Sequence, residues 1–307
     1  MRYDVFTFAS YKTHIMNTSL KKNPLSSTLN WDVLSETLIS SSQHPTGKIA
    51  LMRNDNRMLL GVHSRNYRCI TNKELMQLCS HLEQTEVFRN SQFQQFRRGK
   101  AILAYLEFTG VTSKAAPTEV FESIPARYHL ILGTSFDGSR PFYAGVSQTL
   151  IRCENQFYSS NMLFREKHCN ALPDMQTLAN RLLSSFYIFK NELIEDMRYF
   201  EQMPVNNALI QKLIHDLLQL SPAVNPDRRT IYAAYLVQSI DREIKALGQN
   251  AFGLFNGITW FTSHHLQPND PFSNTQGLGL AMNNFAWNTL KNLCLEHQAL
   301  NASADVN

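Results

Sequence analysis

The sequence predicts an α+β protein, with a mainly antiparallel sheet in the N-terminal half packed with a helical C-terminal half. Three observations carry this. Before about residue 172, short apolar runs alternate with turn-forming clusters such as Asn54-Asp55-Asn56 and Asp137-Gly138-Ser139. From Pro173 onward the apolar spacing changes to threes and fours, the period of a helix. The links between the apolar runs are too short for parallel crossovers.

Residues 1–30 read as an irregular segment, with KKNPLSSTLN polar and turn-rich. Residues 31–172 read as a β-rich region holding two helices, and 173–299 as a helical region of the same domain. Residues 300–307 form a polar tail. The first helix is expected from Trp31 to about Ser41, with Trp31, Leu34, Leu38 and Ile39 on one face. KIALMR and MLLGVHS then predict a hairpin across Asn54-Asp55-Asn56. Thr71 is placed as the N-cap of a helix from Lys73 to about Thr85, with Leu75, Leu78, Cys79 and Leu82 at helical spacing.

The segment Phe88 to Lys100 interleaves Phe93 and Phe96 with Arg89, Arg97, Arg98 and Lys100. Such a run can stack bases and track phosphates, or its phenylalanines can tuck into the core from a loop. Ala101–Thr109 is expected as a strand, followed by the pair HLILGTSF and FYAGVSQTLIRC around Asp137-Gly138-Ser139. Alternation at Phe142, Ala144 and Val146 predicts one buried and one open face. MLFREKH closes the β-rich part.

Met175, Leu178, Leu182, Phe186, Phe189, Leu193, Met197 and Phe200 then recur at spacings of 3, 4, 4, 3, 4, 4, 3. This is the repeat of a nearly straight helix. Pro204 ends it, and Asn207–Leu220 makes another helix. Asn225-Pro226-Asp227 supplies a cap, an N1 proline and an early acid for a helix that Gly248 stops. Two last helices are expected, Ala251–His264 and about Leu278–His297.

Hydrophobic residues make up 43 % and charged residues 18 % of the 307, the balance of a globular chain. No run approaches the ~20 apolar residues of a membrane helix, and the N-terminus has no long apolar signal core, so the cytoplasm is the expected location. The five cysteines are odd in number and form no CxxC pair, which points to reduced, buried thiols. Net charge is +4, with 14 Lys+Arg against 7 Asp+Glu in residues 1–100, so that stretch carries +7 and the rest −3. The asymmetry suits a polyanionic partner or an ordinary solvated surface.

Polar groups in apolar surroundings form three clusters: Arg152, Cys153 and Asn155; His168 and Cys169; and Asn256, Thr259, His264 and His265. Metal binding would need His168, His264 and Cys153 to converge, yet no HxxxH or HExxH spacing exists, and structural histidines are the plainer reading. Cys153 would need His168 as base to act as a nucleophile, against the simpler reading of a buried strand-end thiol. Arg152 and Asn155 suit a phosphate or carboxylate, or a turn cap. No P-loop, GxGxxG fingerprint, helix-turn-helix or RNP-type motif is present.

On these residues the chain resembles the phage/plasmid-like protein family, a domain of unknown function encoded on mobile genetic elements. The resemblance runs through Gly61, Tyr67, Asn72 and Glu74; Asp137 and Gly138; Arg152, Cys153 and Asn155; His168; and Gly253, Asn256, Thr259 and His264. It covers about Lys48 to Leu295. Gln156, Cys169 and Gly257-Ile258 depart from the family pattern, which leaves shared threonine chemistry unsupported. The resemblance implies a mobile-DNA context and a polar cluster of Asp137, Arg152, Cys153, Asn155, His168, Asn256, Thr259 and His264.

The expected function is non-enzymatic binding of nucleic acid, single-stranded DNA first, by a cytoplasmic homo-oligomer in replication or recombination. Arg65, Tyr67, Arg68, Arg89, Phe93, Phe96, Arg97, Arg98 and Lys100 are the candidate binding residues; no cofactor, metal or catalytic residue is assigned. The alternatives are a metal-dependent enzyme acting on nucleic acid or nucleotide, centred on Arg152, Asn155, His168, Asn256 and His264, or an anti-defence protein that binds a host protein.

Overall fold

A computed structural model describes residues 26–109, 126–150, 156–158, 163–168, 174–220, 226–266 and 277–304. The α+β architecture is as expected: antiparallel sheets come first and helices afterwards. A three-stranded sheet of order β1-β2-β3 comprises β1 (Val33–Ile39), β2 (Pro45–Arg53) and β3 (Leu59–Ser64). A larger sheet contains β4 (Phe88–Phe96), β5 (Ala101–Phe108), β6 (Ala126–Ser135), β7 (Phe142–Leu150) and β8 (Gln156–Tyr158) in that order. A short β9 (Phe164–Glu166) also pairs with β7.

β1 corrects the helix expected over Trp31–Ser41. Its backbone pairs with β2 from Val33↔Arg53 to Thr37↔Ile49. Leu34 and Ile39 remain 37 % and 63 % exposed, so the three-and-four spacing marked no core face. Trp31 lies before the strand, buried, with Arg53 4.2 Å over its ring. Phe88–Phe96 is a strand rather than a loop, and its Phe93 and Phe96 are buried as one of the two readings had it.

The sheet's period of two sorts its side chains. Ile102, Ala104, Leu106, Leu130, Leu132, Phe142, Ala144 and Val146 join the main core. The opposite face is not open as expected: Phe96, Ala101, Leu103, Ile131 and Tyr143 form a second buried cluster, with Leu280 packed against it. Gly133 pairs with Tyr143, and a Cβ there would stand 2.2 Å from the tyrosine ring, so the glycine lets that ring lie across the sheet.

α1 (Asn72–Glu83) begins at Thr71, whose side chain accepts from Glu74 N while Glu74 reaches back to Thr71 N, a capping box. α2 (Met175–Gln202) is one helix of 28 residues, and the predicted stripe from Leu178 to Phe200 is buried along it. Phe186 meets Phe88 at 4.8 Å and Phe108 at 5.2 Å between ring centroids, joining helix to sheet. α3 (Asn207–Gln219), α4 (Pro226–Leu247), α5 (Ala251–Phe261) and α6 (Leu278–Ala304) follow among the described residues. Two boundaries shift: a π-helical turn, Thr262–Leu266, takes the expected end of α5, and α6 continues past 300 where a tail was expected. Gly248, at φ +100°, stops α4 as predicted.

Replacing Phe186 with alanine leaves a cavity between α2, β4 and β5 that these elements cannot close. The expected loss is about 3–5 kcal/mol, read as a lower urea midpoint with an unchanged slope.

Candidate nucleic-acid interface at the hairpin tips

Antiparallel register places two turns side by side. Phe96 pairs with Ala101, and Ala101 pairs with Ser135, so the β4–β5 tip (97–100) adjoins the β6–β7 turn (136–141). Phe136 N donates to Lys100 O at 2.8 Å across that junction. Phe142 pairs with Glu166, which brings the end of β9 and His168 to the same place.

The β4–β5 tip has an unusual backbone. Arg97, Arg98 and Gly99 all take positive φ, at 50°, 62° and 92°. Only glycine adopts that region without cost, so two successive arginines there store strain, a condition that clusters at functional sites. Gly99 is needed twice over, because a Cβ would also stand 2.9 Å from the Trp31 ring. The result is that Arg97 and Arg98 project into solvent.

The two arginines differ in their partners. Arg97 lies 3.6 Å from an Asp137 oxygen and 3.4 Å from Ser139 Oγ. Burial alone would raise the Asp137 carboxyl, but hydrogen bonds from Ser139 and the Arg97 charge hold it below the usual carboxylate range. Arg98 has no ion-pair partner among the described residues.

Tyr67 joins the two sets of sequence candidates. Its ring stacks on His63 at 3.7 Å and 9°, and lies 5.1 Å from His168. All three rings hold the β6–β7 turn through backbone carbonyls. His63 Nε2 donates to Phe136 O at 2.7 Å, Tyr67 Oη to Ser135 O at 3.3 Å, and His168 Nε2 to Arg140 O at 2.8 Å. Burial raises the Tyr67 phenol, helped by Cys69 and Asp137. Burial also lowers the His168 imidazole, outweighing the opposite effect of its hydrogen bond to the Arg140 carbonyl. His63 was missed in the sequence; only its place in a strand two residues after Gly61 marked it.

The other candidates do not gather here. Phe93 and Phe96 are 2 % and 6 % exposed, so neither offers a face to a base, and their assignment to binding is withdrawn. Arg89 sits at the far end of β4, 3.1 Å from Glu107. Arg68 pairs with Glu74 at 3.2 Å, whereas Arg65 is exposed at the end of β3. Arg152, Cys153 and Asn155, and with them the expected contact to the Asn256 helix, lie outside the described residues. β8, which follows them, does lie beside α5 and α6.

Asn256 and Thr259 are buried in α5. Asn256 Nδ2 donates to Phe252 O, and Thr259 Oγ1 to Asn256 O. His264 points outward instead, 4.0 Å from the Trp260 ring that Arg242 covers at 3.6 Å. Of the residues in the enzyme reading, His168 thus lies against the β6–β7 turn, Asn256 is buried within α5 and His264 is exposed beside Trp260. Among the described residues no three His, Cys, Asp or Glu side chains could hold a metal ion. Cys69, Cys79 and Cys294 are buried free thiols, and burial pushes Cys69 up to about 12. Among the described residues no helix is long and apolar enough to cross a membrane.

Comparison with protein-family models, with curated proteins and with solved structures finds no match.

A pH dependence follows from His168. Its folded-state pKa lies below the ordinary value, so the unfolded chain takes up the proton first as pH falls. Stability should decline as pH drops through about 6.5 toward the lower folded value. His265 is lowered in the same sense, so the His168 share is isolated by comparison with His168→Asn. That variant should show a shallower fall in urea midpoint over the same window.

Proposed function

We propose that this protein binds single-stranded nucleic acid, DNA first, through the basic edge formed by the hairpin tips. It is read as a non-enzymatic, homo-oligomeric protein of the cytoplasm, acting in the replication or recombination of a phage or plasmid. The resemblance to the phage/plasmid-like family supports that setting.

The observation that carries the reading is Arg98: an exposed cation, in strained left-handed backbone, with no ion-pair partner among the described residues. Arg97 and Lys100 lie on the same tip, and Arg65 follows the strand whose His63 grips the adjoining turn. Cations presented in this way neutralise phosphates and release counterions. Contacts of that kind are insensitive to sequence, because the phosphate backbone is the same for every base. Tyr67 does not serve as a stacking platform in this reading, since His63 already occupies one face of its ring.

Fluorescence anisotropy with a labelled oligonucleotide tests the proposal. Arg97→Gln with Arg98→Gln should weaken binding and lower the log–log salt slope by about 0.7, the share of one single-strand phosphate contact, because Arg98 is the cation unpaired among the described residues and Arg97 is held by Asp137. Absence of binding by the unaltered protein at low salt would reject it. So would a double variant with unchanged affinity and slope.

A further inference from the structure

We infer that β1 is the surface on which two copies of this chain associate, pairing antiparallel about a two-fold axis at Glu36. The inference rests on the homo-oligomer part of the function proposed above and is independent of the nucleic-acid part.

β1 is an edge strand of seven residues whose only strand partner among those described is β2. Its Ser35, Glu36 and Thr37 are exposed, whereas their partners on β2, Leu51, Ala50 and Ile49, are buried, so β1 forms the outer margin of a sheet that is anchored in the core through β2. Open edges carry unpaired backbone groups and are ordinarily blunted by lysine, proline or inward charge. β1 has no lysine, proline or inward charge, and the one register shift in its pairing lies at its C-terminal end, between Thr37 and Ile39. Its single charged residue, Glu36, is already engaged by Arg57 of the same chain.

The occupant is indicated by the strand's own sequence. VLSETLI reads almost the same in both directions by residue class: Val33 and Ile39, Leu34 and Leu38, and Ser35 and Thr37 are matched around Glu36. Antiparallel pairing about that residue sets Leu34 opposite Leu38, Ser35 opposite Thr37 and Val33 opposite Ile39 of the second copy. An isologous interface needs this self-complementarity, whereas a foreign strand would not. The apolar pairs continue an exposed surface, because Leu34 lies beside Met52 and Met52 beside Leu59, itself 50 % exposed. The central Glu36 residues would repel one another if bare, and Arg57 beside each removes that obstacle. The product is one continuous six-stranded sheet.

Size-exclusion chromatography with light scattering tests this without DNA. The protein should elute at twice its 35.2 kDa chain mass, and Leu34→Lys, at an exposed position, should shift it to the single-chain mass. Glu36→Cys should form an intermolecular disulfide under mild oxidation that the unaltered protein lacks, since directly opposed residues approach to ~4.5–5.5 Å between Cα atoms. A monomeric parent protein overturns both this inference and the oligomer reading. An oligomer that survives Leu34→Lys and leaves Glu36→Cys uncross-linked overturns the β1 interface alone.

Discussion

The hydrogen-bonded register of β4, β5 and β6 is the constraint on which the candidate site depends. Antiparallel ladders fix which strand ends coincide, and here Phe96, Ala101 and Ser135 are successive partners. A one-residue slip in either ladder would reverse the faces of Ile102, Ala104 and Leu106, moving them out of the core. Core burial therefore enforces the register, and the register brings the 97–100 tip against the 136–141 turn. The helical half takes part at a distance: α2 presses its apolar stripe on the sheet, with Phe186 against Phe88 and Phe108.

Much of this was readable from the chain. The helices from Met175 onward have strict apolar spacing and clear punctuation by Pro204, Pro226 and Gly248, so local signals and tertiary packing agree. β1 failed for the opposite reason. Its Leu34 and Ile39 face solvent, so their spacing reflects no burial, and the strand exists because β2 supplies its backbone partners. A pairing partner that lies beyond a turn leaves no mark within the segment itself. The shift at the end of α5 is of the same kind, since the π-turn is closed by Thr262 donating to Asn283 Oδ1 on α6.

The site was legible in parts and not as a whole. Arg97, Arg98 and Lys100 stood out as cations, and Tyr67, Asp137 and His168 stood out through the resemblance. Nothing in their sequence positions said that these two sets adjoin, because the link is made by backbone carbonyls of residues 135, 136 and 140. Phe93 and Phe96 misled for a related reason. Three positions apart, they lie on opposite faces of β4, one in each apolar cluster, and burial on both faces of the sheet hides both. Alternation alone cannot distinguish a solvent face from a second, smaller core.

The arginine tip shows how stability and presentation are traded against each other. A glycine or asparagine at position 98 would relieve the left-handed backbone, and the Trp31–Gly99 contact would survive it. Retaining arginine costs conformational energy and gains nothing from an ion pair, since none is formed with a described residue. Arg97 behaves differently: Asp137 and Ser139 hold it, and it ties the tip to the neighbouring turn. One arginine thus positions the loop while the other is left available. That division of labour is fixed by the turn rather than by the run of charges. The +7 of residues 1–100 does not reveal it, for Arg53, Arg57, Arg68 and Arg89 in that stretch are each paired with a carboxylate.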